Sequence, residues 1–257
     1  MRLGLEGRKV LVAGATRGIG LAIARVFLEE GSSVSVCGRT ADSLDDARRY
    51  LEGLGASGSV FARRTDLTDA SDTQAFVAEA LDALDGLDIY VHCASGFSGV
   101  GEDGWMRTLT TDLLAPVRVV DAALDALEAS DAGSIVFIGS TASVQWFARP
   151  GARPSGYGPA KAAQRVLANE LAQTLGRQGI RANVVSPGAT FWEGGSWDRV
   201  RTSDPDLWKS LVRQFPFRRL VTAREVAQVV AFVSSPAAAG INATHVVVDG
   251  GQTKSVQ

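Results

Sequence analysis

The sequence predicts an α/β fold: one doubly wound, mostly parallel β-sheet of about seven strands, with helices on both faces. Short apolar runs rich in β-branched residues alternate about six times with longer, Ala-rich amphipathic segments. Several of the short runs are apolar throughout, as parallel strands buried on both faces should be. No proline- or serine-rich linker divides the 257 residues, so we expect one domain over residues 1–257.

The strands and helices follow one another in a regular order. Seven segments have the composition of strands: residues 9–13, 33–37, 59–62, 87–92, 134–140, 181–186 and 245–248. Six segments have helical periodicity: residues 19–30, 42–54, 73–84, 105–127, 157–175 and 223–234. The stretch from 188 to about 217 has no clear periodicity. Because a segment that long in a compact domain is usually functional, we expect a lid or binding loop here.

Composition and charge narrow the function classes. The formal charge is −2, so nothing favours nucleic acid or a membrane as partner, and a small molecule is expected instead. No apolar run reaches the roughly 18 residues that span a bilayer, and the N-terminus lacks a signal-peptide pattern, so a cytoplasmic protein is expected. Cys37 and Cys93 are expected as buried free thiols. No Cys/His cluster accompanies the two histidines, and no metal site is expected.

A glycine-rich turn joins the first strand to the first helix. Gly14 permits a tight turn, Gly18 lets the backbone approach a pyrophosphate, and Gly20 lets the helix pack on the strand. The free N–H groups at the helix start favour an anion. The spacing is Gly-x-x-x-Gly-x-Gly, and a glycine turn without a ligand is the alternative. The residues expected to hold a dinucleotide here are Gly14, Thr16, Arg17, Gly18, Ile19 and Gly20.

The end of the second strand indicates which dinucleotide would bind. An acidic residue there would accept hydrogen bonds from the adenosine ribose and repel a 2′-phosphate. The sequence has Arg39 instead, and Arg17 lies on the glycine turn. Two guanidinium groups favour NADP(H) over NAD(H). The alternative is that Arg39 is only a solvated surface charge. Asp66, after the third strand, is expected either to accept from the adenine amino group or to cap a helix.

Tyr157 and Lys161 lie four residues apart at the start of a predicted helix, so they share one face. A free phenol ionises near pH 10 and is a poor acid–base catalyst at neutral pH. A neighbouring ammonium favours the phenolate and makes general acid–base chemistry feasible. The alternative is an exposed helical pair without function.

Over nearly its whole length the chain resembles the short-chain dehydrogenase/reductases, which have a Rossmann-type fold, and in pattern it is most similar to their 3-oxoacyl-ACP-reductase-like ketoreductases. The matching segments, in chain order, are Gly14–Gly20, Asp66-Leu67, His92-Cys93-Ala94-Ser95-Gly96, Ile138-Gly139-Ser140, Tyr157-x-x-x-Lys161, Ser186-Pro187-Gly188 and Val248-Asp249-Gly250-Gly251.

The resemblance implies a role for each matched residue. Ser140 would hydrogen-bond the substrate carbonyl oxygen, and Tyr157 would exchange a proton with it. Lys161 would hold the nicotinamide ribose and favour the phenolate of Tyr157. The resemblance adds further nucleotide-binding residues: Leu67, Ala94, Pro187, Gly188 and Thr190. It also implies a homodimer or homotetramer, assembled through the helices that bear residues 112 and 157 and through the last strand.

The sequence departs from the family pattern at three places. Asp112 stands where the family usually has an asparagine that serves a proton relay, and it is expected to be a catalytic residue. His92 replaces the first asparagine of the fourth-strand motif and is expected to be buried and hydrogen-bonded. The segment between Ser140 and Tyr157 is longer than usual, and it includes the basic pairs Arg149-Pro150 and Arg153-Pro154 near the expected substrate entrance, where they either meet an acidic substrate or are solvated.

Aromatic residues are concentrated in the expected lid. They are Phe191, Trp192, Trp197, Trp208, Phe215 and Phe217, and Trp146 and Phe147 are expected in the same cleft. Such a lid suits a hydrophobic or cyclic ketone or alcohol. The alternative is that the rings pack on the body of the fold or in a subunit interface.

The expected activity is hydride transfer between NADP(H) and a carbonyl or alcohol substrate. Two alternatives stay open: a weakly catalytic dinucleotide-binding sensor or complex subunit, and an enone reductase on the same scaffold.

Overall fold

The computed structural model describes residues 2–97, 99–145 and 153–254. In this part of the chain the strands are β1 Lys9–Ala13, β2 Ser33–Gly38, β3 Val60–Arg64, β4 Ile89–His92, β5 Ser134–Ile138, β6 Arg181–Pro187, β7 Thr190–Phe191, β8 Val221–Thr222 and β9 His245–Val248. The helices are α1 Gly18–Glu29, α2 Ala41–Glu52, α3 Ala70–Leu84, α4 Gly101–Leu109, α5 Ala115–Glu128, α6 Tyr157–Leu175, α7 Ser196–Ser203, α8 Pro205–Val212 and α9 Ala223–Ser234.

Seven of the described strands form one parallel sheet, in the order β3-β2-β1-β4-β5-β6-β9. The chain builds outward from β1 to β3 and then returns to β4 beside β1. The connections after β1 and β4 therefore leave the sheet in opposite directions and open a crevice at the carboxyl ends of these strands. The predicted doubly wound α/β fold is confirmed.

Two hydrophobic layers cover the sheet. Helices α1, α2 and α9 pack on one face, with Phe27 and Val230 among the residues that are completely buried there. Helices α3, α5 and α6 pack on the other face, where Phe76 and Phe137 are completely buried. Because successive strand residues point to opposite faces, Val10 belongs to the first layer and Leu11 to the second. This two-sided burial explains why the strands are apolar throughout.

The predicted helix over 105–127 is wrong in two respects: the helical stretch begins earlier, at Gly101, and a π-helical turn at Thr110–Leu114 separates α4 from α5. Pro116 lies at the start of α5 and has no amide hydrogen to donate to the carbonyl of Asp112, four residues earlier. Gln164 Nε2 donates to that carbonyl instead, at 2.7 Å. The break thus joins α5 to α6 and fixes the position of Asp112.

The stretch 188–217, predicted without regular structure, contains two helices of eight residues, α7 and α8, and the short strand β7, which pairs with β8. Each helix has only eight residues, about two turns, so apolar periodicity has little length in which to become visible, and neither helix has a fully buried residue. One local signal was present: Asp204 caps α8 by accepting from Leu207 N, and Pro205 follows at the first helical position.

The fifth strand is shorter than its predicted span of 134–140 and ends at Ile138. Ser140 instead begins a single 3₁₀ turn, Thr141–Ser143, and its hydroxyl accepts from Ala142 N at 3.1 Å. Ser140 is therefore held in a fixed place just beyond the carboxyl end of the strand.

Gly20→Ala is expected to destabilise the fold. A Cβ at this position would lie 2.1 Å from the carbonyl oxygen of Gly14, which is backbone and cannot swing away. Overpacking of this kind costs about 1–3 kcal/mol, more than the roughly 1 kcal/mol that Ala gains over Gly in a helix. Urea unfolding would measure the difference. Gly240→Ala is the matched control, since a Cβ at Gly240 meets no atom within 4 Å. Equal stabilities of the two variants would contradict the argument.

Candidate active site

A cleft of about 550 Å³ opens at the carboxyl ends of β1 and β4, where the strand order reverses. It is lined by every predicted site residue except one: Gly14, Thr16, Arg17, Gly18, Ile19, Gly20, Arg39, Asp66, Leu67, Ala94, Ser140, Tyr157, Lys161, Pro187, Gly188 and Thr190. The exception is Asp112, which is completely buried behind Lys161. The fold thus brings together residues that are up to 176 positions apart.

The glycine turn has the shape of a cradle for an extended anionic ligand. Gly14 has a φ of +83°, and a Cβ there would lie 2.7 Å from backbone atoms of Ala94. Helix α1 starts at Gly18, and no side chain in the described chain caps it. No acidic residue occupies its first turn, so its N–H groups suit a phosphate. These features fit the pyrophosphate of a dinucleotide.

Two guanidinium groups flank the same end of the cleft. Arg17 and Arg39 are exposed, and neither forms an ion pair with any residue in the described ranges. Asp66 also lines the cleft, and its Oδ1 accepts from the backbone and hydroxyl of Thr68, at 2.9 and 2.7 Å. Asp66 therefore stabilises its own turn, while the helix-capping role of the neighbouring segment belongs to Asp69.

Ser140, Tyr157 and Lys161 lie together at the other end of the cleft. Tyr157 is the first residue of α6, and Lys161 follows one turn later, with its Nζ 5.8 Å from the centre of the Tyr157 ring. The ammonium donates to the carbonyl of Ile138 at 2.8 Å and to Gln164 Oε1 at 3.2 Å. These two hydrogen bonds hold the amino group beneath the tyrosine.

A buried ion pair lies directly behind these residues. Lys161 Nζ is 2.9 Å from Asp112 Oδ1, and the two side chains are 3% and 0% exposed. The approach angle does not suit a hydrogen bond, so Oδ1 is held by charge attraction and has no aligned donor within the described chain. Its partner oxygen, Oδ2, accepts from Gly96 N at 2.8 Å and from Ser95 Oγ at 3.2 Å. Asp112 therefore joins Lys161 to the loop that follows β4.

His92 is a structural residue, as the sequence predicts. It is completely buried, and its Nε2 lies 3.0 Å from the carbonyl oxygen of Thr111. A carbonyl only accepts, so Nε2 has the proton and Nδ1 accepts from the hydroxyl of Tyr90 at 2.8 Å. Burial, followed by the charge of Lys161, lowers the pKa of His92 to about 4. The imidazole is therefore neutral and ties β4 to the π-helical turn.

The two cysteines are free thiols. Burial raises the pKa of both Cys37 and Cys93 to about 12, so neither is a ready nucleophile although both line the cleft. No group of three His, Cys, Asp or Glu side chains that could hold a metal ion occurs in residues 2–97, 99–145 and 153–254.

The aromatic lid is smaller than the sequence suggests. Of its six predicted rings, only those of Trp192 and Trp197 line the cleft. Phe191 instead packs against Trp208, with ring centres 6.0 Å apart, and Phe217 lies on a separate groove beside β9. Phe191 and Trp208 therefore pack within the predicted lid itself, and Phe217 lies beside the edge of the sheet. Trp146, Phe147 and the Arg149-Pro150 pair lie outside the described residues, and Arg153 and Pro154 are exposed away from the cleft lining.

Several residues that line the cleft were not among the predicted site residues, and they include Ser95, Phe97 and Arg199. Ser95 and Phe97 follow β4, and Arg199 lies on α7. Phe97 is the most informative of them, because its ring contacts the ring of Tyr157 edge to face, with centres 5.2 Å apart. In the sequence, its position directly after the fourth-strand motif was the feature that could have indicated a place in the cleft.

Comparison with known proteins agrees with this geometry. The family model described as enoyl-(acyl carrier protein) reductase matches residues 14–253, nearly the whole chain. The chain belongs to the short-chain dehydrogenase/reductase family. An isoepoxydon dehydrogenase of Penicillium expansum is 33% identical over 251 residues, covering 96% of this chain and 95% of that protein. Human dehydrogenase/reductase SDR family member 4 is 31% identical over 253 residues, covering 96% and 88%.

Solved structures of short-chain dehydrogenases share the fold and bind the cofactor class that the cleft fits. A Burkholderia cenocepacia short-chain dehydrogenase in complex with NADP has a TM-score of 0.84 at 29% identity, covering 98% of this chain and 99% of that one. L-sorbose reductase of Gluconobacter frateurii, complexed with NADPH and L-sorbose, has a TM-score of 0.88 at 25% identity over both full chains. The protein is therefore an oxidoreductase of a family that binds a nicotinamide dinucleotide. None of the helices in the described ranges is long and apolar enough to span a bilayer.

His92→Asn is expected to reduce the sensitivity of the fold to acid. The pKa of His92 in the folded protein, about 4, lies below the ordinary 6.5, so between these pH values only the unfolded chain binds the proton. The free energy of unfolding then falls by up to about 1.4 kcal/mol per pH unit as pH drops through this window, with no such loss above pH 6.5.

The slope of stability against pH is the measurement, taken from urea unfolding at about pH 7, 5.5 and 4.5. An asparagine takes up no proton, so the variant should have the shallower slope even if lost hydrogen bonds lower its stability at every pH. His245, whose pKa burial also lowers to about 4, stays in place in both proteins. Identical slopes would show that His92 does not titrate in this window.

Proposed function

We propose that this protein reduces a hydrophobic or cyclic ketone with NADPH, and oxidises the corresponding alcohol in reverse. The observation that supports this most directly is that Ser140, Tyr157 and Lys161 line one cleft with the glycine turn. A dinucleotide held on that turn and a small substrate held at Tyr157 would share one enclosed space. A protein that only binds the dinucleotide has no need of the tyrosine and serine.

The chain's own residues supply positioning and proton transfer. The hydroxyl of Ser140 donates a hydrogen bond to the substrate carbonyl oxygen, and Tyr157 donates its proton to the same oxygen as negative charge develops there. Lys161 contributes a positive charge beneath Tyr157, fixed by Ile138 and Asp112. When bound, the reduced nicotinamide supplies the hydride that forms the new C–H bond. Leu67, Ala94, Pro187, Gly188 and Thr190 would contact the dinucleotide, since they line the same cleft.

The preference for NADP(H) is supported by charge. Arg17 and Arg39 line the cleft where β2 ends, and the residue after this strand is Arg39, not a carboxylate. Both guanidinium groups suit a 2′-phosphate. Two structural neighbours were solved with NADP or NADPH, which is consistent with this preference.

We also propose a homodimer or homotetramer. Three large apolar side chains are exposed on the turn before α5, on α5 and on α6: Leu114, Val117 and Val166, at 47%, 36% and 60%. Exposed apolar side chains of this size favour burial against a second copy. Strand β9 is an edge of the sheet and offers a second contact surface. The free thiols of Cys37 and Cys93 fit a reducing cytoplasm.

Tyr157→Phe is expected to abolish turnover and leave the nucleotide bound. The change removes one hydroxyl and keeps the ring that contacts Phe97. Loss of a general acid lowers kcat by about 10²–10⁴-fold. NADPH oxidation over a panel of ketones would measure turnover, and fluorescence titration would measure the Kd for NADPH. Unchanged turnover would rule out the acid role of Tyr157, whereas turnover absent from the wild type as well would contradict the proposed function itself.

Arg39→Ala is expected to raise the Kd for NADPH by about 10–100-fold and the Kd for NADH by less than about threefold. The estimate corresponds to one lost charge-assisted hydrogen bond, about 1.5–3 kcal/mol. Fluorescence titration with both nucleotides gives the ratio. Arg49→Ala is the matched control, because Arg49 is an exposed arginine on α2 that pairs with Asp46 and does not line the cleft. Equal losses for both nucleotides would refute the 2′-phosphate contact.

A further inference from the structure

Phe97 has an unusual backbone for its residue type. Its φ is +30°, in the region that large side chains rarely adopt, and the residue is 69% exposed. A residue in such a conformation is strained and persists only where its surroundings hold it in place. Exposing a phenylalanine ring is also unfavourable in water. Two unfavourable features at one residue that lines the cleft point to a role in ligand contact.

A chain of hydrogen bonds holds this conformation. Phe97 N donates to Ser95 Oγ at 3.2 Å, and Ser95 Oγ donates to Asp112 Oδ2, also at 3.2 Å. Gly96 N donates to the same carboxylate oxygen at 2.8 Å. Asp112 is itself completely buried and paired with Lys161. The strained turn is therefore anchored on a charged group that cannot move without leaving Lys161 unpaired.

The ring lies next to the site of proton transfer. Its centre is 5.2 Å from the centre of the Tyr157 ring, at an interplanar angle of 66°, an edge-to-face contact. Among the described residues of the cleft, Ser140 and Lys161 provide the polar side of this region and Phe97 an apolar one. A ketone with its oxygen at Tyr157 and Ser140 would therefore have its hydrocarbon part beside Phe97.

We propose that Phe97 is a substrate-positioning residue that packs on the apolar body of the ketone, and that Asp112, through Ser95, holds it in place. This inference rests on the proposed ketone reduction and adds a substrate class: ketones with a flat apolar ring next to the carbonyl. A purely structural role does not explain a strained residue whose ring is mostly in solvent, because such a ring adds little to the core.

The first experiment compares Phe97→Gly with the wild type on a small and a ring-bearing ketone, for example 2-butanone and acetophenone, within a wider panel of acyclic, cyclic and aryl ketones. KM for the ring-bearing ketones should rise by about 10–50-fold, as expected for loss of one aromatic packing surface. KM for 2-butanone should rise much less than this, so the ratio of the two KM values is the readout, and the Kd for NADPH should change by less than about threefold. Phe97→Leu keeps an apolar side chain, so its KM for the ring-bearing ketones should lie between the values of the wild type and of Phe97→Gly.

The melting temperature distinguishes this proposal from a structural role for Phe97, because the two predict changes in opposite directions. Glycine adopts positive φ without strain, so Phe97→Gly should leave the melting temperature unchanged or raise it. The expected results are a weaker preference for ring-bearing ketones over 2-butanone and a melting temperature that is unchanged or higher. A lower melting temperature together with equal losses on both kinds of ketone would show a structural role and overturn the proposal.

The anchor is tested by Ser95→Ala, which removes the link from Asp112 to Phe97 N and keeps the ion pair with Lys161. It should reproduce part of the KM increase on ring-bearing ketones. In the double variant with Phe97→Gly it should add almost nothing, because the two residues act as one unit. Full additivity would overturn the anchoring role of Ser95 and Asp112.

Phe217→Ala is the matched control, since Phe217 is an equally exposed phenylalanine, at 62%, outside the cleft. It should leave the ratio of the two KM values unchanged. Turnover of 2-butanone by Phe97→Gly with an unchanged ratio would overturn this inference and leave the proposed reduction intact. Failure of the wild type on the whole ketone panel would contradict the proposed function and the inference with it.

Discussion

The geometry of the cleft depends on the buried ion pair between Lys161 and Asp112. Moving a single ion out of water costs several kcal/mol, and breaking a buried pair costs about 3–5 kcal/mol because the remaining charge has no partner. Here both charges are further compensated, the ammonium by Ile138 and the carboxylate by Gly96 and Ser95. The pair thereby holds together the end of β5, the loop after β4, the π-helical turn and α6. A shift of either residue would disturb the tyrosine and the cleft wall together.

Local sequence patterns predicted the structure correctly where interactions between neighbouring residues determine it. The predicted bounds of β1 and β9 agree with the observed strands, because each is a short run of apolar, largely β-branched residues that ends at a glycine turn. The residues of the cleft were predictable for a related reason. Gly14 and Tyr157 lie in short motifs whose spacing follows from the turn and the helix that contain them.

The remaining features arise from contacts between distant segments. Pro116 alone does not predict a π-helical turn, since the freed carbonyl of Asp112 needs Gln164, 52 residues further on, as its donor. The positive φ of Phe97 depends on the same buried carboxylate, and nothing in the local sequence requires it. Helices α7 and α8 were missed because each is short and lacks a buried stripe, so their position is set by the body of the fold.

The chemistry of its surroundings explains why residue 112 is an aspartate here. On one side it faces the ammonium of Lys161, and on the other the backbone N–H of Gly96 and the hydroxyl of Ser95. The ammonium and the N–H only donate, and the Ser95 hydroxyl donates its one proton to the carboxylate while it accepts from Phe97 N. An asparagine, the residue usual in this family, would turn its NH₂ group towards one side or the other and leave a buried donor facing a donor. Only a carboxylate presents an acceptor oxygen to both sides, so Asp112 pairs with Lys161 and holds the turn at Ser95 and Gly96 at the same time.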